Sequence, residues 1–129
     1  MNIPEDLKYT VTDEWIKIDG EGIASIGITD FAQEELTDIV YITDFPEIGD
    51  HVEKGSSLAV IESVKTVADV VSPFTGIITE INSVLEGKPE MLNEDPYNAW
   101  IIKIKVDDQG AFTQLLDPEQ YRKKLSEDS

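Results

Sequence analysis

The side chain best placed to do chemistry is Lys65, at the centre of Glu62-Ser63-Val64-Lys65-Thr66-Val67-Ala68-Asp69. A lysine amine presented on a tight turn can be acylated, and the acylated side chain then tethers a reactive group that it carries between proteins. A free lysine has a pKa of about 10.4, so its amine must lose a proton before it attacks an activated acyl donor. No other constellation competes with it. The chain has no Cys, which removes disulfides, thiolate metal sites and cysteine nucleophiles. His51 is the only histidine; it sits in a turn-like stretch, and a metal site needs several converging ligands. No glycine motif cradles a phosphate. The expectation is an attachment point, not an enzyme.

The elements around Lys65 must hold it at a tip. Val60, Ile61, Val64, Val67, Ala68 and Val71 have the spacing of an amphipathic helix, so periodicity alone does not decide. Composition favours two strands, because most of these residues are β-branched and lose rotamer freedom in a helix. Gly55-Ser56-Ser57 and Ser72-Pro73 through Gly76 bound the stretch as turns.

Elsewhere the pattern is mainly β. Residues 15–18, 23–28, 38–45, 77–81 and 100–106 alternate or are β-branched. Thr29-Asp30 caps a short helix over 31–36. Residues 86–98 form a polar connection, and Pro118 opens a helix over 119–125, with Arg122, Lys123 and Lys124 near its C-terminal end and the last four residues fraying. Glu47-Ile48 with Val52-Glu53-Lys54-Gly55 resembles Glu80-Ile81 with Val84-Leu85-Glu86-Gly87, which predicts two similar β-units about a pseudo-twofold axis. Trp15 and Trp100 are expected in the core.

Bulk properties set the frame. The 129 residues make one domain, with a core over about 9–125, and the 40% hydrophobic and 29% charged fractions describe a globular protein. The formal net charge of −17, from 27 acids and 10 bases, argues against nucleic-acid and membrane binding and favours a soluble monomer. The acidic start Met1-Asn2-Ile3-Pro4-Glu5-Asp6 has no apolar leader core, so a cytoplasmic location is the default.

Blocks in order along residues 9–121 resemble the glycine cleavage H-protein family of lipoyl carriers. They are Asp13-Glu14-Trp15, Gly27 to Gln33, Asp38-Ile39-Val40, Glu62-Ser63-Val64-Lys65, Ser72-Pro73 with Gly76, and Asn93-Glu94-Asp95-Pro96-Tyr97. Gly49 and Gly76, sixteen before and eleven after the lysine, match the spacing of lipoyl domains. The resemblance implies a flattened β-barrel of the lipoyl/biotinyl-carrier (barrel-sandwich hybrid) type with short peripheral helices, one near the C-terminus. It also implies lipoate in amide linkage on Lys65, within the lipoylation motif Glu62, Ser63 and Val64. A lipoate-attaching enzyme would read that motif. Glu14 and Asp69 match acidic positions near a cleft that shelters the arm and slows premature loss of formaldehyde and ammonia.

The implied partners are a pyridoxal-phosphate glycine decarboxylase, a tetrahydrofolate-dependent aminomethyltransferase and a flavin-containing dihydrolipoamide dehydrogenase. The carrier would shuttle the aminomethyl group of glycine from the first to the second and present its dithiol to the third. The chain departs from the family pattern at four places. Asp13 stands for the usual His, Thr37 for the usual Gly, Thr43-Asp44-Phe45-Pro46 is one residue long, and Tyr97 to Trp100 is one residue short and lacks glycines. These departures motivate an alternative, an H-protein-like lipoate-binding carrier serving another pathway such as bacterial sulfur oxidation. A biotin carrier fits less well, because Val64 and Thr66, not methionines, flank Lys65.

Overall fold

A computed structural model describes residues 2–128. Among the described residues, nine strands form two sheets, and the pairings within them are antiparallel. The larger has the order β1-β2-β3-β9-β8-β5, from β1 (Lys8–Tyr9), β2 (Glu14–Ile18), β3 (Ile23–Ile28), β9 (Ile102–Val106), β8 (Gly76–Ile81) and β5 (His51–Val52). The smaller has the order β4-β6-β7, from β4 (Ile39–Thr43), β6 (Ser57–Ser63) and β7 (Val67–Val71). Alternate residues of a strand point to opposite faces. Ala24, Ile26 and Ile28 therefore meet Ile102, Ile104 and Val106 on the inner face of one sheet, and Ile42, Leu58 and Ile61 close over them from the other. This is the expected flattened, mainly β architecture.

Two glycines matter to it for different reasons. Gly49 turns the chain into β5 with φ +95°, a conformation L side chains rarely adopt. At Gly76, a Cβ would collide with the carbonyl oxygen of Lys105 on β9, so only glycine lets the strands approach.

A second apolar cluster, Leu7, Tyr9, Trp15 and Tyr121, joins the N-terminal segment to helix α4 (Pro118–Asp128). Tyr9 and Tyr121 stack with centroids 4.6 Å apart. Trp15 is buried and its Nε1 donates to the Pro96 carbonyl at 2.9 Å, whereas Trp100 is only half-buried, with Lys103 Nζ over its ring.

Three expectations change. Val84–Gly87 is a short helix, α2, while its supposed repeat partner contributes Val52 to β5, so the two segments share residues without sharing structure. Leu85 is fully buried, and one helical turn is what seats it. The polar connection likewise contains a helical turn, α3 (Met91–Glu94), pinned by buried Leu92. Finally, α4 runs on to Asp128, and only Ser129 of the tail expected to fray lies outside the described residues. Its cations are then mid-helix and do not serve the dipole: Lys124 Nζ reaches Asp13 Oδ1 at 3.3 Å and Arg122 bonds Glu5. A 3-10 helix at Gln109–Gln114 has no distinct signature in the sequence.

Among the described residues, no helix is long and apolar enough to cross a membrane. Nor does any group of three or more His, Cys, Asp or Glu there have the arrangement to hold a metal ion.

Candidate functional site

Strands β6 and β7 form a hairpin whose tip is Ser63-Val64-Lys65-Thr66, as the β-branched composition predicts. Ser63 N–H donates to the Thr66 carbonyl at 2.8 Å, closing the turn. The buried Ser63 hydroxyl then locks it from within. Its Oγ accepts the backbone N–H groups of Lys65 at 3.2 Å and Thr66 at 3.0 Å and donates to the Thr66 carbonyl. Val64 N–H is tied to the Asp38 carbonyl at 3.0 Å. The backbone is thus fixed on all sides while the side chains of Val64 and Lys65 remain exposed.

Lys65 does not point at random. Its Nζ donates to the Glu35 carbonyl at 3.4 Å, on the last turn of α1 (Asp30–Leu36). Carbonyls of a last helical turn have no intrahelical donor and carry the negative end of the dipole, so they attract a cation. Helix α1 is itself set by the Thr29 hydroxyl, which accepts Ala32 N–H at 3.2 Å as N-cap.

Behind α1 lies a cleft. Strand β7 is the edge of its sheet, and between it, α1 and the β1–β2 turn is a cavity of ≈ 180 Å³. Ile28, Ala32, Leu36 and Ile61 give it apolar walls, and both Glu14 and Asp69 line it. The two acids differ sharply. Asp69 is exposed and accepts the Ser57 hydroxyl at 3.0 Å.

Glu14 is only 3% exposed, and its Oε1 accepts hydroxyls from Thr10 at 2.7 Å and Thr12 at 2.6 Å. Glu14 N–H returns a bond to Thr10 Oγ1 at 3.0 Å, and the Val71 backbone N–H on β7 also favours the carboxylate. Burial is the largest influence on Glu14 and the Asp13 charge adds to it; against the threonine hydroxyls they push its pKa up to about 7. Near neutral pH this carboxyl is poised between its two forms.

Of the sequence-derived site residues, Glu62 lies apart from the cleft, exposed on the outer face of β6, where Tyr41 and Val67 are its cross-strand neighbours. Ser63 is inward, Val64 and Lys65 are at the tip, and Glu14 and Asp69 share the cavity wall. Sequence reasoning does not single out Thr10, Thr12 or Glu35. The i, i+2, i+4 spacing of Thr10, Thr12 and Glu14 is the available signal for the first two. A second, more apolar cavity of ≈ 240 Å³ lies beyond Thr12, lined by Val11, Val71, Pro73, Leu115 and Leu116 with Lys54, and it does not include the hairpin tip.

Residues 7–128 match the family model described as Glycine cleavage H-protein. A probable glycine cleavage system H protein of Thermoplasma volcanium is 53% identical over 124 residues, covering 96% of this chain and 98% of that one. The glycine cleavage system H protein of Marinobacter nauticus is 48% identical, covering 96% and 95%. Among solved structures, a glycine cleavage system H protein from Mycobacterium marinum superimposes with a TM-score of 0.85 at 35% identity, covering 96% of this chain and 99% of that chain.

Proposed function

Because the chain belongs to the glycine cleavage H-protein family, we propose that it is the non-catalytic carrier of the glycine cleavage system and that Lys65 holds its lipoyl group in amide linkage. The observation that carries this reading is the direction of Lys65: from an exposed, rigid tip its amine leans over α1 toward the mouth of the Glu14 cleft. Attachment forms one N–C bond and breaks the bond between the acyl carbon and its activating group, and the amine gives up a proton. Afterwards the lysine is neutral.

The cleft suits the group this implies. Apolar walls accommodate a methylene chain, and one buried carboxyl, set by burial, hydroxyls and a neighbouring acid, suits a primary ammonium. When bound, the lipoyl group supplies a disulfide that takes up the aminomethyl group of glycine and a dithiol to be reoxidised. The protein's own contribution is to hold and shield. Thr10 and Thr12 orient the Glu14 carboxyl, and an ammonium entering the cavity stabilises its ionised form, drawing its pKa down. Holding charge and excluding water are then one act, because desolvation strengthens the ion pair that forms.

The partners that follow are the glycine decarboxylase, the aminomethyltransferase, the dihydrolipoamide dehydrogenase and the lipoate-attaching enzyme. All would meet the same tip, which explains why its backbone is rigid and its lysine is not enclosed. The test is intact mass of the protein from lipoate-replete cells beside a Lys65→Arg variant. A lipoyl increment in the first alone, together with support of glycine–bicarbonate exchange when mixed with the decarboxylase, is the expected result. An unmodified Lys65 would overturn the reading.

A further inference from the structure

We propose that the cavity of ≈ 240 Å³ beyond Thr12 is a ligand site for a medium-chain fatty acid anion, with the hydrocarbon between Val11, Val71, Pro73 and Leu115 and the carboxylate against Lys54. The site stands whatever Lys65 carries.

Reach sets the lysine arm apart from this cavity. Along β7, Asp69 is four residues from Lys65 and Val71 is six, about 13 and 20 Å of extended chain. A lysine bearing an eight-carbon acyl chain extends roughly 14 Å at full stretch. It therefore reaches the Glu14 cleft, where Asp69 lies, and stops short of Val71. Thr12 lines both cavities and separates them, so one can fill while the arm occupies the other.

The walls select a hydrocarbon over a peptide. Tyr9 and Leu116 exchange both of their backbone bonds, at 2.9 and 2.8 Å, and Gly55 N–H donates to the Ser72 carbonyl at 2.8 Å. The Ser72 hydroxyl is likewise engaged, donating to the Phe74 carbonyl at 2.6 Å. A peptide entering here would leave its own amides unpaired, a cost that a methylene chain does not meet. Size agrees. A water's share of liquid volume is about 30 Å³, so ≈ 240 Å³ holds about eight groups of that size, and a methylene is close to it.

Charge fixes the head group. In a chain with 27 acids and 10 bases, the described lining of this cavity includes Lys54 and no Asp or Glu. Lys54 is exposed at the rim and makes no ion pair among the described residues. Gln114, exposed on the same lining, adds an amide donor. On its other side Lys54 borders a cavity walled by Asp107 and Asp108. Those carboxylates are engaged, by His51 Nε2 at 2.7 Å and by Gly110 N–H at 2.9 Å. They repel an anion from that side and leave the apolar cavity as its seat.

The test is an amide-resolved NMR titration of the protein, with and without an acyl group on Lys65, using octanoate as the probe. Saturable shifts should map to Val11, Lys54, Gly55 and Gln114 and be the same in both forms. Hexanoate, two methylenes shorter, should bind about tenfold more weakly. Lys54→Gln should weaken octanoate binding about fivefold. Val11→Asp, at a side chain 65% exposed, should abolish binding while the spectrum stays that of the folded protein. Lys88→Gln removes an exposed cation outside the cavity and should change nothing. Equal affinity for octanoate and hexanoate, wild-type affinity in either the Lys54 or the Val11 variant, or shifts confined to Ala32 and Ala68 in the Glu14 cleft overturns the proposal. So does loss of binding on acylation of Lys65, or the absence of any saturable binding.

Discussion

Replacing Glu14 with Gln should reshape the pH dependence of stability, and the size of the effect follows from burial. The Glu14 carboxyl rises from an ordinary 4.5 to about 7 in the folded protein. A group that holds its proton more tightly when folded stabilises the fold while protonated, and that contribution is lost as pH climbs. It is fully present below the unfolded value of 4.5, declines through the folded value of about 7, and is gone above it. Integrating between pH 5 and pH 8 gives a loss of about 2.5 kcal/mol for this one group.

The Glu14→Gln side chain keeps the volume and an oxygen for the Thr10 and Thr12 hydroxyls but has no proton to exchange. The other carboxylates are common to both proteins and cancel in the difference. Urea unfolding of the unlipoylated protein, followed by Trp15 and Trp100 fluorescence, measures it. The unfolding free energy of Glu14→Gln minus that of wild type should grow by about 2.5 kcal/mol from pH 5 to pH 8. A difference that stays flat, or that shrinks as pH rises, would show that Glu14 is not a proton-binding buried acid and would remove the electrostatic basis for the cleft.

Other substitutions report on the frame. Thr37→Gly should stabilise the protein by about 1 kcal/mol in chemical denaturation, because Thr37 ends α1 at φ 62° and ψ −148°, a region nearly reserved for glycine. Gly76→Ala should cost about 3 kcal/mol in the same assay, since its Cβ would collide with the Lys105 backbone. Tyr121→Phe should cost about 1–2 kcal/mol and shift the melting midpoint accordingly, since the Tyr121 hydroxyl bonds both Thr29 Oγ1 at 2.7 Å and Asp13 Oδ1 at 3.0 Å.

The hairpin is legible in the sequence only when composition is weighed above periodicity. A helix over 60–71 would have buried Val64 and Val67 with the rest of its apolar stripe. In the fold both are exposed while Ile61 and Val70 are inside. An apolar residue that faces outward corrupts the very pattern from which strands and helices are read. Glu14 illustrates the opposite limit. Its acidity and its place near a cleft are readable by resemblance, but its poise near neutrality arises from burial against β7 and hydroxyls two and four residues away, which no linear pattern encodes. The α4 cations mislead for a related reason. Lys124 sits where helix polarity would want it if the helix stopped at Leu125, yet it serves Asp13, a residue 111 positions distant.

Among the described residues, the non-glycine positions with positive φ are Asp13, Thr37 and Asp44. Each falls where the resemblance drawn from the sequence implies a departure from the family pattern: Asp13 for His, Thr37 for Gly, and the link after β4. Asp tolerates the left-handed region because its short polar side chain bonds locally, whereas β-branched Thr does not. What keeps these residues there is visible. The Asp13 carbonyl accepts Thr29 N–H at 3.1 Å, and its carboxylate takes Tyr121 and Lys124 from α4, so the β1–β2 turn, the start of α1 and the C-terminal helix meet at one residue. At the other end of α1, the Thr37 carbonyl accepts Asn93 Nδ2 at 2.8 Å. Helix α1 supplies Glu35 to Lys65 and Leu36 to the cleft wall, and it is therefore held at both ends by backbone that its local sequence would not choose. Hydrogen bonds from α3 to Thr37 and from α4 to Asp13 and Thr29 position α1 and so tie the mouth of the cleft to elements remote from the lysine.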